Sequence, residues 1–533
     1  MPYKRRKTYS GLFGGSPVNP FQSIPGIDIN IDSTKFIGSL YLLKPFINSL
    51  GIREIVDRIV PMERHVGGLS HGQVFEQLVL NRLDDPLPLL YLEDWAEMRG
   101  IRELYGIPPE KLNDDRIGRA LDAVAPFIDD IEGAVVLAAL SRFNVDPDQV
   151  LWDTTSFYFE GDYDESDIIK LGYSRDQKKD KKQAVVELSV TAKEGIPLAH
   201  RLLPGNASDH KEALQNIKTL QKRVQKKDFL LIGDRAMLTK PNLTALIGKG
   251  LKFLGPLAGK DKEFILGIPE EQFVPLTYTT ARGKGGCAAV DTSYTFHYNG
   301  RHYTCRAVVV KNEELCKQQR LTLNKNLRKI ESGLEKIRCQ LNVRKYKNPA
   351  YVAERVKKVL DGHCAGKLFR VILDGEEGAL TLQWDYDPGL MEQQERLLGK
   401  YILVTSLDRE AHDADRVLEL YKSRHRVEDR IRAIKGTLKI RPLFLQSEER
   451  IKSLVLVNII ALIVYSLIEW VCKQKRFARS GKHALFMFRM PAIVTLTVNG
   501  HVNQQIGNIY PSMHYILTAL KVKPLEISDM DTG

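Results

Sequence analysis

Between Leu454 and Val471 the chain reads LVLVNIIALIVYSLIEWV, and no other segment limits its architecture as strongly. A run this long and this apolar either crosses a bilayer or lies at the centre of a large protein, with other elements packed around its whole circumference. Asn458, Ser466 and Glu469 interrupt it, and no second apolar run exists to pair with it. The expectation is therefore a buried core helix, with no membrane partner. A chain of 533 residues with 43% apolar side chains has the material to surround such a helix, in more than one hydrophobic core.

The 78 Lys and Arg against 66 Asp and Glu leave a formal charge of +12, which favours a polyanionic partner. Cys287, Cys305, Cys316, Cys339, Cys364 and Cys472 are widely spaced and form no C-x-x-C pair, which excludes zinc-ribbon and thioredoxin-like sites and fits reduced thiols. The amino terminus MPYKRRKTYSGLFGG starts basic but lacks the apolar stretch of a secretory signal, so a cytoplasmic location is expected.

Patterning divides the chain. Residues 1–33, rich in Gly, Pro and basic side chains, read as a flexible basic arm. Over 34–145 apolar residues recur at helical spacing, as in Phe75, Leu78, Val79 and Leu83, predicting a helical amino-terminal domain. The runs VLWDTTSFYF (150–159), AVVELSVTA (184–192) and IPLAHRLL (196–203) then predict an antiparallel meander. Helix, the strand DFLLIGD, helix and the strand LKFLGPL follow, which is the order of a ribonuclease H-like α/β core occupying 146–257. Residues 258–398 read as an insertion subdomain, largely β but with a charged helix over about 313–343, because they far exceed an ordinary connection. The core resumes over 399–475 with KYILVTS and two helices, leaving 476–533 as a carboxyl-terminal region.

Three acids are candidates for chemistry. Asp153 interrupts an apolar strand, where an unpaired buried carboxylate would cost several kcal/mol, a penalty that a cation removes. Asp234 ends Leu230-Leu231-Ile232-Gly233 at the carboxyl edge of the sheet, where α/β folds place their ligands; a turn or helix cap is the other reading of either Asp. Glu428 lies in DADRVLELYKSRHRVEDRIRAIKG, read as one helix. At about 100° per residue, Tyr421, Arg424, Glu428 and Lys435 fall within roughly 60° of each other, so one face presents a phenol, a guanidinium, a carboxylate and an ammonium. A solvated face laced with pairs such as Arg424 with Glu428 is the competing reading.

The spacing Y-x2-R-x3-E-x6-K formed by these four residues resembles the signature of DDE transposases of the insertion-sequence 4 type. LWDTTSFYFEG, GYSRDQKKDKKQ, LPGNASD and GDRAMLT resemble other parts of that family in the same order. The resemblance implies a ribonuclease H-like enzyme performing cut-and-paste DNA transposition, with Asp153, Asp234 and Glu428 binding two Mg²⁺ or Mn²⁺ ions. It implies that Tyr421, Arg424 and Lys435 grip DNA phosphates, and it makes Trp384 a candidate for stacking on a flipped base, although a core tryptophan is the alternative. Implied partners are double-stranded DNA, as transposon-end inverted repeats and target, and a second copy of the chain, in a bacterial or archaeal nucleoid. A metal-dependent nuclease of the same fold and an inactive DNA-binding descendant are the alternatives.

Overall fold

The computed structural model describes residues 29–62, 68–172, 180–207, 213–224, 228–235, 237–259, 261–278, 286–440, 445–478 and 480–526. The chain forms two compact units, one of Met1–Val145, Phe157–Gln183 and Arg430–Gly533, the other of Asp146–Ser156 and Ala184–Asp429.

The first unit is mainly helical and is organised around the helix Glu448–Gln474, which is almost entirely buried. The helices His71–Asp84, Asp114–Val124, Ile128–Phe143 and Gly481–Met487 pack on it. Its length and hydropathy would allow a membrane span, but its apolar window is 94% buried inside the protein. The polar interruptions are largely satisfied in place, Asn458 Oδ1 being buried without a hydrogen-bond donor among the described residues. Asn458 and Ser466 donate to the carbonyls of Leu454 and Leu462 one turn back, at 2.8 and 2.6 Å. Glu469 pairs with Arg430 at 2.8 Å and Lys473 at 2.9 Å, and accepts from the Gly481 N–H. The helix His71–Asp84 begins with a capping box, Ser70 and Gln73 each satisfying the other's backbone N–H.

The unit also contains a three-stranded antiparallel sheet in which Ile29–Phe36 pairs with Ala492–Val498, and that strand with His501–Gly507. Residues 29–33, expected within the basic arm, are thus already strand. Their partner lies more than 450 residues away, so no local pattern could reveal it. Residues 1–28 and 173–179, which hold Lys4–Lys7 and most of the basic loop GYSRDQKKDKKQ, lie outside the described residues.

The second unit is built on a sheet whose described strands are β1 (Gln149–Tyr158), β2 (Gln183–Thr191), β3 (Pro197–Pro204), β4 (Leu230–Ile232), β5 (Lys252–Pro256), β6 (Val274–Pro275), β7 (Cys287–Tyr298), β8 (Arg301–Asn312) and β9 (Lys400–Thr405). Their spatial order is β3-β2-β1-β4-β5-β9-β8-β7-β6. The meander β1–β3 turns at Gly195, whose φ of +71° suits a residue without Cβ. Strand β4 runs parallel to β1 and to β5. An antiparallel meander joined to two parallel strands in the order 3-2-1-4-5 is the ribonuclease H-like fold expected from the sequence. Every residue of β2 is buried, and its one acid, Glu187, faces Arg201 across the ladder at 3.2 Å.

The interval 258–398 has two characters. Strands β7 and β8 form a hairpin turning at Asn299-Gly300, both at positive φ, and extend the central sheet through β9. The helices α1 (Glu313–Arg338) and α2 (Pro349–Asp361) and the hairpin Phe369–Asp374/Thr381–Tyr386 instead share a core of their own, including Leu327, Ile330, Leu334, Val352 and Leu382. The β-type alternation of 288–310 was legible, but not its pairing with a strand ninety residues later.

Candidate active site

Sheet register brings the two aspartates together. Leu151 on β1 stands opposite Ile232 on β4, so Asp153 and Asp234, each two residues farther along parallel neighbours, fall side by side on one face. Neighbouring strands lie about 4.8 Å apart. Each carboxylate is oriented by a backbone donor. The Thr154 N–H donates to Asp153 Oδ1 at 2.8 Å, and the Met237 N–H to Asp234 Oδ1 at 3.2 Å. Gly233 and Gly255 permit this strand end. A Cβ on Gly255 would sit 2.7 Å from the Gly233 carbonyl oxygen, and one on Gly233 would meet Met237.

The region 413–436 is not one helix. It forms α3 (Ala414–Lys422) and α4 (His425–Gly436), with Ser423 and Arg424 in a turn between them. Ser423 Oγ donates to the Leu420 carbonyl, and His425 Nδ1 lies 3.0 Å from that of Lys422, so side chains compete for the carbonyls that a continuous helix would use. The turn tightens to three-residue steps, Arg424 N–H to Tyr421 and Val427 N–H to Arg424. The shared helical face expected for Tyr421, Arg424, Glu428 and Lys435 is therefore corrected: Tyr421 lies in the last turn of α3, Arg424 occupies the turn between the helices, and Glu428 and Lys435 belong to α4.

The break aims Arg424 at the acids. Its Nη2 lies 3.4 Å from Asp153 Oδ2 and 3.8 Å from Glu428 Oε1. Burial would depress the guanidinium pKa, but Asp153, Tyr421, Asp234 and Glu428 together raise it above its ordinary value. All three acids therefore act on one cation. Asp153 and Arg424 are largely buried, whereas Glu428 is 53% exposed. Among the described residues no group of three or more His, Cys, Asp or Glu stands close enough to hold a metal ion as arranged. The donor chemistry nevertheless suits a hard divalent cation, being all carboxylate and concentrated enough to perturb Arg424.

The other candidates have the following surroundings. Lys435 belongs to the first unit, with its ammonium 5.7 Å above the Phe157 ring. Trp384 is on the hairpin of the separate core, half-buried against it, with the Arg338 guanidinium 5.1 Å from its ring. The sequence reading missed Arg235, Tyr401 and Lys422, which line a cavity of about 340 Å³ together with Tyr421. Lys422 Nζ lies 5.7 Å from the Tyr401 ring and 5.9 Å from that of Tyr421. Arg235 and Lys422 directly follow Asp234 and Tyr421, which was the available signal.

An aspartate within one strand of a ribonuclease H-like sheet, a second just past the end of its parallel neighbour and a glutamate supplied after a long insertion make the arrangement that of a polynucleotide phosphoryl transferase. Residues 146–464, more than half of the chain, match the family model described as "Transposase DDE domain", and residues 32–127 match a domain of unknown function (DUF4277). The chain belongs to the DDE-domain transposases, a family that works with divalent metal ions. No curated protein matches it. Among solved structures it is similar to the piggyBac transposase in its synaptic complex with hairpin DNA, at 11% identity over 85% of this chain and 80% of that one, with a TM-score of 0.37. It is also similar to the Mos1 transposase in a paired-end complex with the left transposon end, at 12% identity over 36% and 61%, with a TM-score of 0.15.

Proposed function

We propose that this transposase is of the insertion-sequence 4 type and performs cut-and-paste transposition, hydrolysing phosphodiester bonds at transposon ends and joining the freed 3′-hydroxyls to target DNA. The observation that supports this best is the pair Asp153 and Asp234 on neighbouring parallel strands, with Arg424 reaching from the α3–α4 turn to Asp153 and Glu428.

In this reading Asp153, Asp234 and Glu428 hold two Mg²⁺ or Mn²⁺ ions. Such ions, when bound, supply an acidified water or 3′-hydroxyl and stabilise charge on the leaving oxygen. The chain's own groups do the rest. The backbone donors from Thr154 and Met237 fix the two aspartates in orientation before DNA arrives. Arg424, balancing their charge, offers its fork to a phosphate near the scissile bond; Tyr421 contributes a phenolic donor and Lys435 a point charge. Trp384 would stack on an unpaired base. The DNA partners are end repeats and target duplex, bridged by two copies of the chain.

The test is incubation of the full chain with Mg²⁺, a linear duplex carrying the flanking repeats of its element, and a supercoiled target plasmid. Joined products are expected. Nicks without joined products would leave a nuclease of the same fold, and equal cleavage by Asp153→Asn, Asp234→Asn and Glu428→Gln variants would remove the site itself.

A further inference from the structure

Helix α1 carries two kinds of charge, and in its second half they are partnered differently. Its inward stripe of Leu327, Ile330, Leu334 and Ile337 is buried in the separate core. The acids of its second half are engaged by other groups, Glu331 accepting from the Tyr386 hydroxyl and Glu335 pairing with Arg338 at 2.7 Å. Lys325, Arg328, Lys329 and Lys336 point the other way. All four are exposed, and they line one groove with Leu321, Asn324 and Ser332. None of them has a carboxylate partner among the described residues. An ordinary solvated helix face interleaves acids with bases at four-residue spacing and so neutralises itself. This one does not.

We propose that this outward face of α1 is a docking surface for the phosphodiester backbone of duplex DNA, separate from the carboxylate site. From Lys325 to Lys336 the helix advances about 16 Å, while a duplex presents one phosphate per ~3.4 Å of axis on each strand, so each cation can meet its own phosphate. The contacts are to backbone only: four long, flexible cations on one exposed face neutralise charge and set register without reading bases. The inward core makes α1 a rigid support, so little ordering entropy opposes docking. The proposal rests on the transposase reading only for the choice of DNA as the polyanion.

The test uses the full chain and a variant combining Lys325→Gln, Arg328→Gln, Lys329→Gln and Lys336→Gln, with unchanged thermal unfolding as the check on folding. Binding of a fluorescent duplex of about 30 base pairs is followed across salt concentrations, since each lost phosphate contact lowers the log–log salt slope by roughly 0.9. We expect affinity to fall at least ~10-fold at low salt and the slope to drop by about 2 to 4. Unchanged affinity and slope would overturn the docking face, and so would a loss confined to anionic lipid vesicles. An Asp153→Asn, Asp234→Asn variant separates the two readings. If the parent neither cleaves nor joins DNA yet the quadruple variant loses binding, the transposase reading fails and the docking face stands.

Discussion

Glu76 in the helical unit and Asp153 in the sheet unit are both acids carried into apolar surroundings, and they are treated differently. Glu76 is 1% exposed, and burial pushes its carboxyl up to about 7, with Arg53 and Lys44 only partly opposing that. Asp153 meets a guanidinium 3.4 Å away, on a residue held in place by a break between two helices. A buried acid without an adjacent cation drifts toward the neutral form and serves as polar filling; one faced by a cation is kept ready as an anion. The second condition is what a site for positive ligands requires. Glu469 in the helical unit also meets a cation, Arg430 at 2.8 Å, but Lys473 and the Gly481 N–H engage the rest of its carboxylate, whereas Arg424 is shared among Asp153, Asp234 and Glu428.

The largest effect that can break this comparison is on chemistry. Asp153→Asn keeps the size of the side chain and removes its charge, and it is expected to lower DNA cleavage by at least ~10³-fold. Glu76→Gln makes the corresponding change in the other unit and should leave the cleavage rate of the folded protein where it was. Gel assays of end cleavage on both variants check this; comparable losses would erase the distinction between the two acids.

Next in size is a stability effect confined to Glu76. Its folded pKa lies above the ordinary value of 4.5, at about 7. Below pH 4.5 the group is neutral in both folded and unfolded chains and carries no penalty. As pH rises toward 7 the unfolded chain ionises first, so folding stability is progressively lost, by roughly 3 kcal/mol once both states are charged. Glu76→Gln cannot lose this proton. Denaturation of parent and variant at pH 5 and pH 8 should show the variant gaining relative stability at the higher pH, and parallel curves would mean that Glu76 is solvated after all.

How far the sequence carried the site depends on how local each signal was. Asp153 and Asp234 were legible because a carboxylate inside VLWDTT or at the end of DFLLIGD is anomalous within a few residues, and the parallel register that joins them follows from the ribonuclease H-like order. The buried helix at 448–474 was legible for the same reason: its apolarity is local. The break at Ser423-Arg424 was not, since the apolar periodicity continues through it, and it arises from Ser423 and His425 capturing nearby carbonyls. The strand at 29–36 and the joining of β7 and β8 to the central sheet depend on partners far along the chain, which periodicity does not encode. The motif spacing around Glu428 was read as one helical face, a geometric reason that the structure replaces.

That replacement yields the smallest and sharpest test. If Arg424 lay on an uninterrupted charged face, lysine would serve nearly as well, because a point charge pairs with Glu428 one turn away. In the turn between α3 and α4, one guanidinium nitrogen lies between Asp153 and Glu428, a placement set by the planar fork. Lysine retains the charge and loses that geometry. Arg424→Lys is therefore expected to slow cleavage about tenfold, equivalent to ~1.4 kcal/mol in the barrier, with thermal unfolding nearly unchanged. Single-turnover cleavage rates on saturating DNA read the effect apart from binding. A lysine variant that cleaves at the parental rate would show that Arg424 supplies charge alone, and that the contrast between Asp153 and Glu76 is one of charge without geometry.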